Sequence, residues 1–237
     1  MVNELLLLAS FVVIYGGALL AYRLFGTHGL YAVNALATVV ANIEVLLVIR
    51  AFGMEQTLGN VLFAVTFLIT DILSENEGKR AARNAVFVGI LASVLFLLIS
   101  QSWLLYRLAD SDWAGDAFRT LFSNTPRMLF ASLSVYAVSQ IFDVWLYHAW
   151  WKLTESKSGD RRRFLWLRNN GSTLISQLVN TVLFNLIAFW GTYDTPTLVS
   201  IIAAGYVVYI FTSLLDTPAV YIARRMKESG KIPDVVQ

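Results

Sequence analysis

Carboxylates stand where apolar sequence should exclude them. Glu44, Asp71, Asp143 and Asp216 lie inside or at the ends of long hydrophobic runs. A charge at the bilayer centre costs about 2.5–3.5 kcal/mol even on the lenient insertion scale, so such residues face a bundle interior or a wet cavity. Polar neighbours recur with them at helical spacing. Asn34, Thr38 and Asn42 follow i, i+4, i+8, and Ser132, Tyr136, Gln140 and Asp143 share a face. So do Thr173, Gln177, Asn180 and Thr181, with Asn185 a turn further, and Thr212 stands one turn before Asp216. Ser, Thr, Asn and Gln also hydrogen-bond across membrane helices without any ligand, typically for about 0.6 kcal/mol each. Acids spread over several helices are harder to attribute to packing, and together they predict a polar cavity.

Other chemistry is scarce. The two histidines, His28 and His148, have no metal-binding spacing. There is no cysteine, so disulfides, thiolate metal sites and a Cys nucleophile are excluded. Ser172 and Ser176 lack a nearby His or Lys base, which argues against hydrolysis. No Gly-rich phosphate loop appears, so the chain does not itself use ATP. No cofactor is expected.

The elements that position these residues follow from composition. The chain has 237 residues, 57% hydrophobic and 14% charged, with a mean hydropathy of +0.62. Soluble domains carry about 25% charged residues. A hydrocarbon core of about 30 Å needs roughly 20 apolar residues as a helix. Seven runs meet or approach that length: 4–24, 30–51, 57–74, 83–107, 126–151, 170–190 and 197–224. The first lacks a basic leader and a clean cleavage site, so it reads as a retained helix. Lipid admits only helices or closed barrels, and none of these runs alternates, so the fold class is all-α, a polytopic membrane helix bundle.

Lys and Arg assign orientation. Fourteen fall in the connections after segments one, three, five and seven, against four on the other side. That asymmetry predicts seven spans with the N-terminus outside and the C-terminus in the cytoplasm. The Arg161–Arg163 run reads as an anchor, touching anionic membrane lipid. The net charge of +2 gives no sign of a nucleic-acid partner.

Four stretches carry a resemblance: TDILSENEGKRAAR (70–83), SQIFDVWLYH (139–148), STLISQLVNTVLFNLIAFW (172–190) and LLDTPAVYIARR (214–225). In their order and separation they resemble the queuosine precursor transporter family, a group of vitamin-uptake-like integral membrane proteins. The likeness runs from about 30 to 225. It divides the single membrane domain into an added N-terminal helix (1–26), a transporter core (30–225) and a cytoplasmic tail (226–237). It implies a six-helix core similar to the substrate-binding components of energy-coupling-factor transporters, in the cell (inner) membrane. It also implies import of 7-cyano-7-deazaguanine, its 7-aminomethyl form or queuine, which feed a modified tRNA base. The alternatives are a substrate-binding subunit of an ATP-driven module, or a broader nucleobase transporter. The first helix, packing outside the core, would allow a homodimer, and an ATPase module would dock through small-residue faces such as Ala37–Ala41.

The residue types suit such a ligand. A carboxylate accepts both N–H donors of a guanine-like edge, and charge-assisted hydrogen bonds are roughly twice as strong as neutral ones. Asn and Gln serve the acceptors, and an aromatic ring stacks on the flat base. The candidate site residues are therefore Asn42, Asp71, Glu75, Gln140, Asp143, Gln177, Asn180 and Asp216, with Phe67, Phe142 and Trp145 for stacking. Asp143 or Asp71 is expected to take the donor edge, with Asn180 and Gln140 fixing orientation. Glu75 is expected to pair with Lys79 at i, i+4 or to meet a ligand amine at the cytoplasmic mouth.

Overall fold

A computed structural model describes residues 2–123, 126–158, 164–191 and 193–233, apart from the side chains of residues 54, 55, 126–129 and 156–158. The Arg161–Arg163 run and residues 234–237 of the tail lie outside the described residues. Among those described, seven helices and one small hairpin build the fold. They are α1 (Val2–Glu44), β1 (Val48–Ala51), β2 (Met54–Thr57), α2 (Gly59–Asn76), α3 (Lys79–Trp103), α4 (Gly115–Ser123), α5 (Pro126–Ser158), α6 (Leu165–Phe189) and α7 (Thr195–Glu228).

The first two apolar runs form α1, which breaks at Gly26, where φ is 57° and ψ is −141°. Glycine adopts that backbone without steric cost. The break sends the chain away from the hairpin and back to it. Asn3 donates to the Arg50 carbonyl at 2.9 Å, and Glu4 accepts from the Phe52 N–H at 3.1 Å. Both therefore hold one end of α1 to the hairpin. At the other end Gly26 packs on Pro233. The N-terminal arm is part of the core: Tyr15, Ala18 and Tyr22 are buried with α2, α3 and α7 residues in one apolar cluster.

The hairpin is a departure from the expected all-helical chain. Val48 pairs with Thr57 and Ala51 with Met54. Phe52 and Gly53 turn between them with φ of 52° and 77°. Two successive positive φ values make the turn whose twist suits a two-residue hairpin. The β-branched Val48 and Ile49 favour strand over helix at this point.

α2 is the central element. Every residue from Ala64 to Ser74 is buried, although the segment is only 18 residues long. Gly59 lets it start tight against α1, because a Cβ there would sit 2.8 Å from the Ala41 carbonyl. Gly78 ends it, with its N–H bonded to the Leu73 carbonyl at 2.8 Å and a backbone of φ 87° and ψ 173° that glycine adopts without steric cost. Among the described residues four helices, α1, α3, α6 and α7, are long and apolar enough to cross a membrane. The exposed surface is apolar along them, for example Val12, Leu95, Leu98 and Phe211, which is a surface made for lipid rather than water.

Candidate functional site

The polar stripes meet inside the bundle in three layers. The layer nearest the hairpin encloses a cavity of about 210 Å3 between α1, the hairpin, α2, α5, α6 and α7. Ligand pockets for drug-sized molecules run to about 300–1,000 Å3, so this space suits something smaller. Its polar lining includes Gln56, Asn60, Asn180, Asn185 and Tyr209, and its aromatic lining includes Phe63 and Phe184. Tyr209 donates to Asn60 Oδ1 at 3.1 Å, which ties α7 to α2 at this level.

Below it lies a layer of buried polar groups. Gln140 accepts from Thr70 at 3.2 Å through Oε1. Asp71 accepts from Thr173 at 2.9 Å, Asp143 from Ser176 at 2.6 Å, and Asp216 from the phenol of Tyr15. Asp71, Asp143 and Asp216 are each 0% exposed. Among the described residues none of the three has a Lys or Arg partner. Among the described residues one oxygen of each, Asp71 Oδ1, Asp143 Oδ2 and Asp216 Oδ2, has no hydrogen-bond donor. Gln177 is also 0% exposed, and neither end of its amide is bonded. Buried polar groups are ordinarily satisfied, so these unsatisfied atoms, three of them carboxylate oxygens, on α2, α5, α6 and α7 make the layer a candidate place for a ligand to complete them.

The third layer closes the far end. Arg168 binds both oxygens of Glu75 at 2.8 Å, Arg224 reaches Oε1 at 3.2 Å, and Tyr147 donates to Oε2 at 2.8 Å. Arg168 also lies over the Trp151 ring at 4.5 Å. Beyond it, Glu77 receives Tyr22 at 2.7 Å and Lys227 at 3.0 Å.

Most of the expected residues gather, but not all at one place. Asn180 lines the cavity, and Gln140, Gln177, Asp71, Asp143 and Asp216 form the layer beneath it. Asn42 is buried in α1, donating to the Thr38 carbonyl at 2.8 Å with Oδ1 unbonded. Glu75 has Arg168 and Arg224 as ion partners rather than the expected Lys79, which is exposed at the start of α3. The i, i+4 pairing loses to two guanidiniums that other helices bring into the interior. Phe67 is wholly buried against Phe63, with ring centres 5.6 Å apart, so Phe63 is the one that reaches the cavity. Phe142 and Trp145 stack on each other at 5.9 Å, and Trp145 is 54% exposed on the outer face of α5. Sequence reasoning missed Asn60, Tyr209, Phe63 and Phe184. The first two are isolated polar residues in apolar runs, and that isolation was the available signal.

Comparison with known proteins bears on this arrangement. Residues 57–223 match the profile of a family described as "Putative vitamin uptake transporter". A "Probable queuosine precursor transporter" of Bacillus subtilis (strain 168) is 37% identical over 208 residues, covering 88% of this chain and 89% of its own. The chain belongs to the queuosine precursor transporter family. The "Queuosine precursor transporter" of Escherichia coli (strain K12) is 31% identical over 154 residues, covering 65% of this chain and 64% of its own. No solved structure matches the chain. This family member is thus a transporter rather than an enzyme, and a multi-pass protein of the cell membrane. The match begins at Thr57, so the profile covers the cavity's α2, α5, α6 and α7 walls and leaves out α1 and β1.

Proposed function

We propose that the protein imports a queuosine precursor or salvage base of the 7-deazaguanine type, entering through the cavity at the hairpin end. In this reading seven segments cross the membrane and the hairpin faces outside. The polar layer holds the base, and the Glu75–Arg168–Arg224 network closes the cytoplasmic side. The observation that carries it is the layer itself. Asp71 Oδ1, Asp143 Oδ2 and both ends of the Gln177 amide stay unbonded in the layer below a base-sized cavity, with Gln177 one helical turn from Asn180 and Asp71 about two turns from Phe63 in the cavity wall. An acid that accepts, beside an amide that both donates and accepts, complements the adjacent N–H groups and carbonyl of a guanine-like edge. The names of the relatives point to the same ligand class.

Asp143 takes the donor edge in this scheme, with Asp71 beside it, while Gln177, Gln140 and Asn180 fix orientation. Phe63 and Phe184 offer aromatic faces to the base on its way in. The test is uptake of labelled 7-deazapurine bases by the purified chain alone in liposomes. Uptake without any partner, lost in Asp143→Ala with insertion intact, supports the reading. Binding without transport would make the chain the binding subunit of a larger machine. A panel that does not separate deazapurines from guanine would make it a general nucleobase carrier.

A further inference from the structure

We infer that Asp216 and Tyr15 form a proton-binding site that couples transport to the proton gradient. Asp216 is 0% exposed on α7, and the Tyr15 phenol donates to Oδ1 from α1. Oδ2 is left without a partner. The titratable groups facing it are Tyr15 from α1, Asp143 from α5 and Asp71 from α2. From α6 the titratable residue is Arg168, and farther along α7 stands Arg224; both are engaged by Glu75. A buried carboxylate with two acid neighbours and no cation is costly to keep charged. A proton on Oδ2 removes that cost.

The choice of a proton over a metal ion also rests on geometry. Among the described residues no group of three His, Asp or Glu side chains is placed to hold a metal. Asp216 is placed to convert its charge into movement. Pro218, two residues on, lies inside α7 and lacks the N–H that would bond the Leu214 carbonyl, a place where helices bend. Tyr15 fastens this weak point to the N-terminal arm of α1, which the family profile does not include. In the step proposed here, the Asp216 carboxylate takes one proton from the hairpin side and becomes the neutral acid. It returns the proton on the Glu75 side after α7 has shifted.

Two measurements test it, and only the second rests on the transport reading above. Infrared difference spectra of the wild-type protein against pH should show a carboxyl C=O band that is absent in Asp216→Asn. In Tyr15→Phe the band should persist at a shifted frequency, since the phenol no longer bonds Oδ1. In proteoliposomes, an inward gradient of one pH unit should raise equilibrium accumulation of a 7-deazapurine base about tenfold at one proton per base. A protonophore should abolish that rise, and Asp216→Asn should not show it. A titrating band without base accumulation would support the proton site and sink the substrate assignment instead. Accumulation that ignores the pH gradient, or a wild-type spectrum with no band lost in Asp216→Asn, overturns the inference. If Asp216→Asn does not fold, an unshifted band in Tyr15→Phe overturns it as well.

Discussion

Arg168 places Nη2 2.8 Å from both carboxylate oxygens of Glu75, with the two side chains 1% and 3% exposed. This ion pair joins α2 to α6 across 93 residues of sequence. Its second cation, Arg224, comes from α7. Three helices therefore share one buried charge, at the end of the bundle opposite the cavity.

Removing one partner of a buried pair strands the other, at a cost of about 3–5 kcal/mol. Glu75→Gln should destabilise the protein by about that amount, read as a lower thermal unfolding midpoint in detergent. The double change Glu75→Gln with Arg168→Met should recover part of the loss, because no uncompensated guanidinium remains at that position. Losses that simply add would show that the two residues do not act as a pair.

Much of this was readable in the chain, and the misses have physical reasons. Stripes at i, i+4 spacing located the interior faces of α5 and α6, because helical geometry puts such residues on one side. Thr173 of the α6 stripe does face an acid on another helix, Asp71 of α2. Partner choice was not readable: the tie between Glu75 and Arg168 depends on how α6 docks, and nothing local encodes that. Phe67 and Phe63 differ by one turn on one face, so spacing alone did not say which reaches the cavity. The hairpin was masked by the continuous apolar run 30–51, and its one local signal was Phe52–Gly53.

The absence of cysteine gives a clean background for a topology test. Tyr106 is 67% exposed in the connection after α3, and Lys231 is exposed at the opposite end. Tyr106→Cys should react with a membrane-impermeant maleimide in intact cells, and Lys231→Cys only after lysis. The reverse pattern would turn the cavity toward the cytoplasm and remove the basis for entry at the hairpin end.

Close approach of three helices makes a second stability prediction. A Cβ on Gly89 of α3 would lie 2.1 Å from the Tyr136 hydroxyl and 2.9 Å from Asn34 Nδ2. Those two groups bond each other at 3.1 Å, so neither can withdraw without breaking a buried contact. In an open helix Gly→Ala gains roughly 0.5–1 kcal/mol. Here overpacking of about 1–3 kcal/mol should outweigh it. Gly89→Ala is expected to lower the unfolding midpoint; a rise would mean that α3 and α5 are not this close.

Two tyrosines on α7 separate ligand effects from general ones. The Tyr209 hydroxyl lines the cavity and donates to Asn60 Oδ1 at 3.1 Å. The Tyr206 hydroxyl donates instead to the Leu174 carbonyl at 3.2 Å and is not part of the cavity wall. Either Tyr→Phe change removes one neutral hydrogen bond, worth about 0.5–1.5 kcal/mol. Tyr209→Phe also loosens Asn60, the polar group that α2 presents to the cavity. Deazapurine binding, followed by calorimetry, should weaken roughly two- to tenfold in Tyr209→Phe, and Tyr206→Phe should bind as the wild type does. Equal weakening in both would assign the effect to α7 stability and take Tyr209 out of the site.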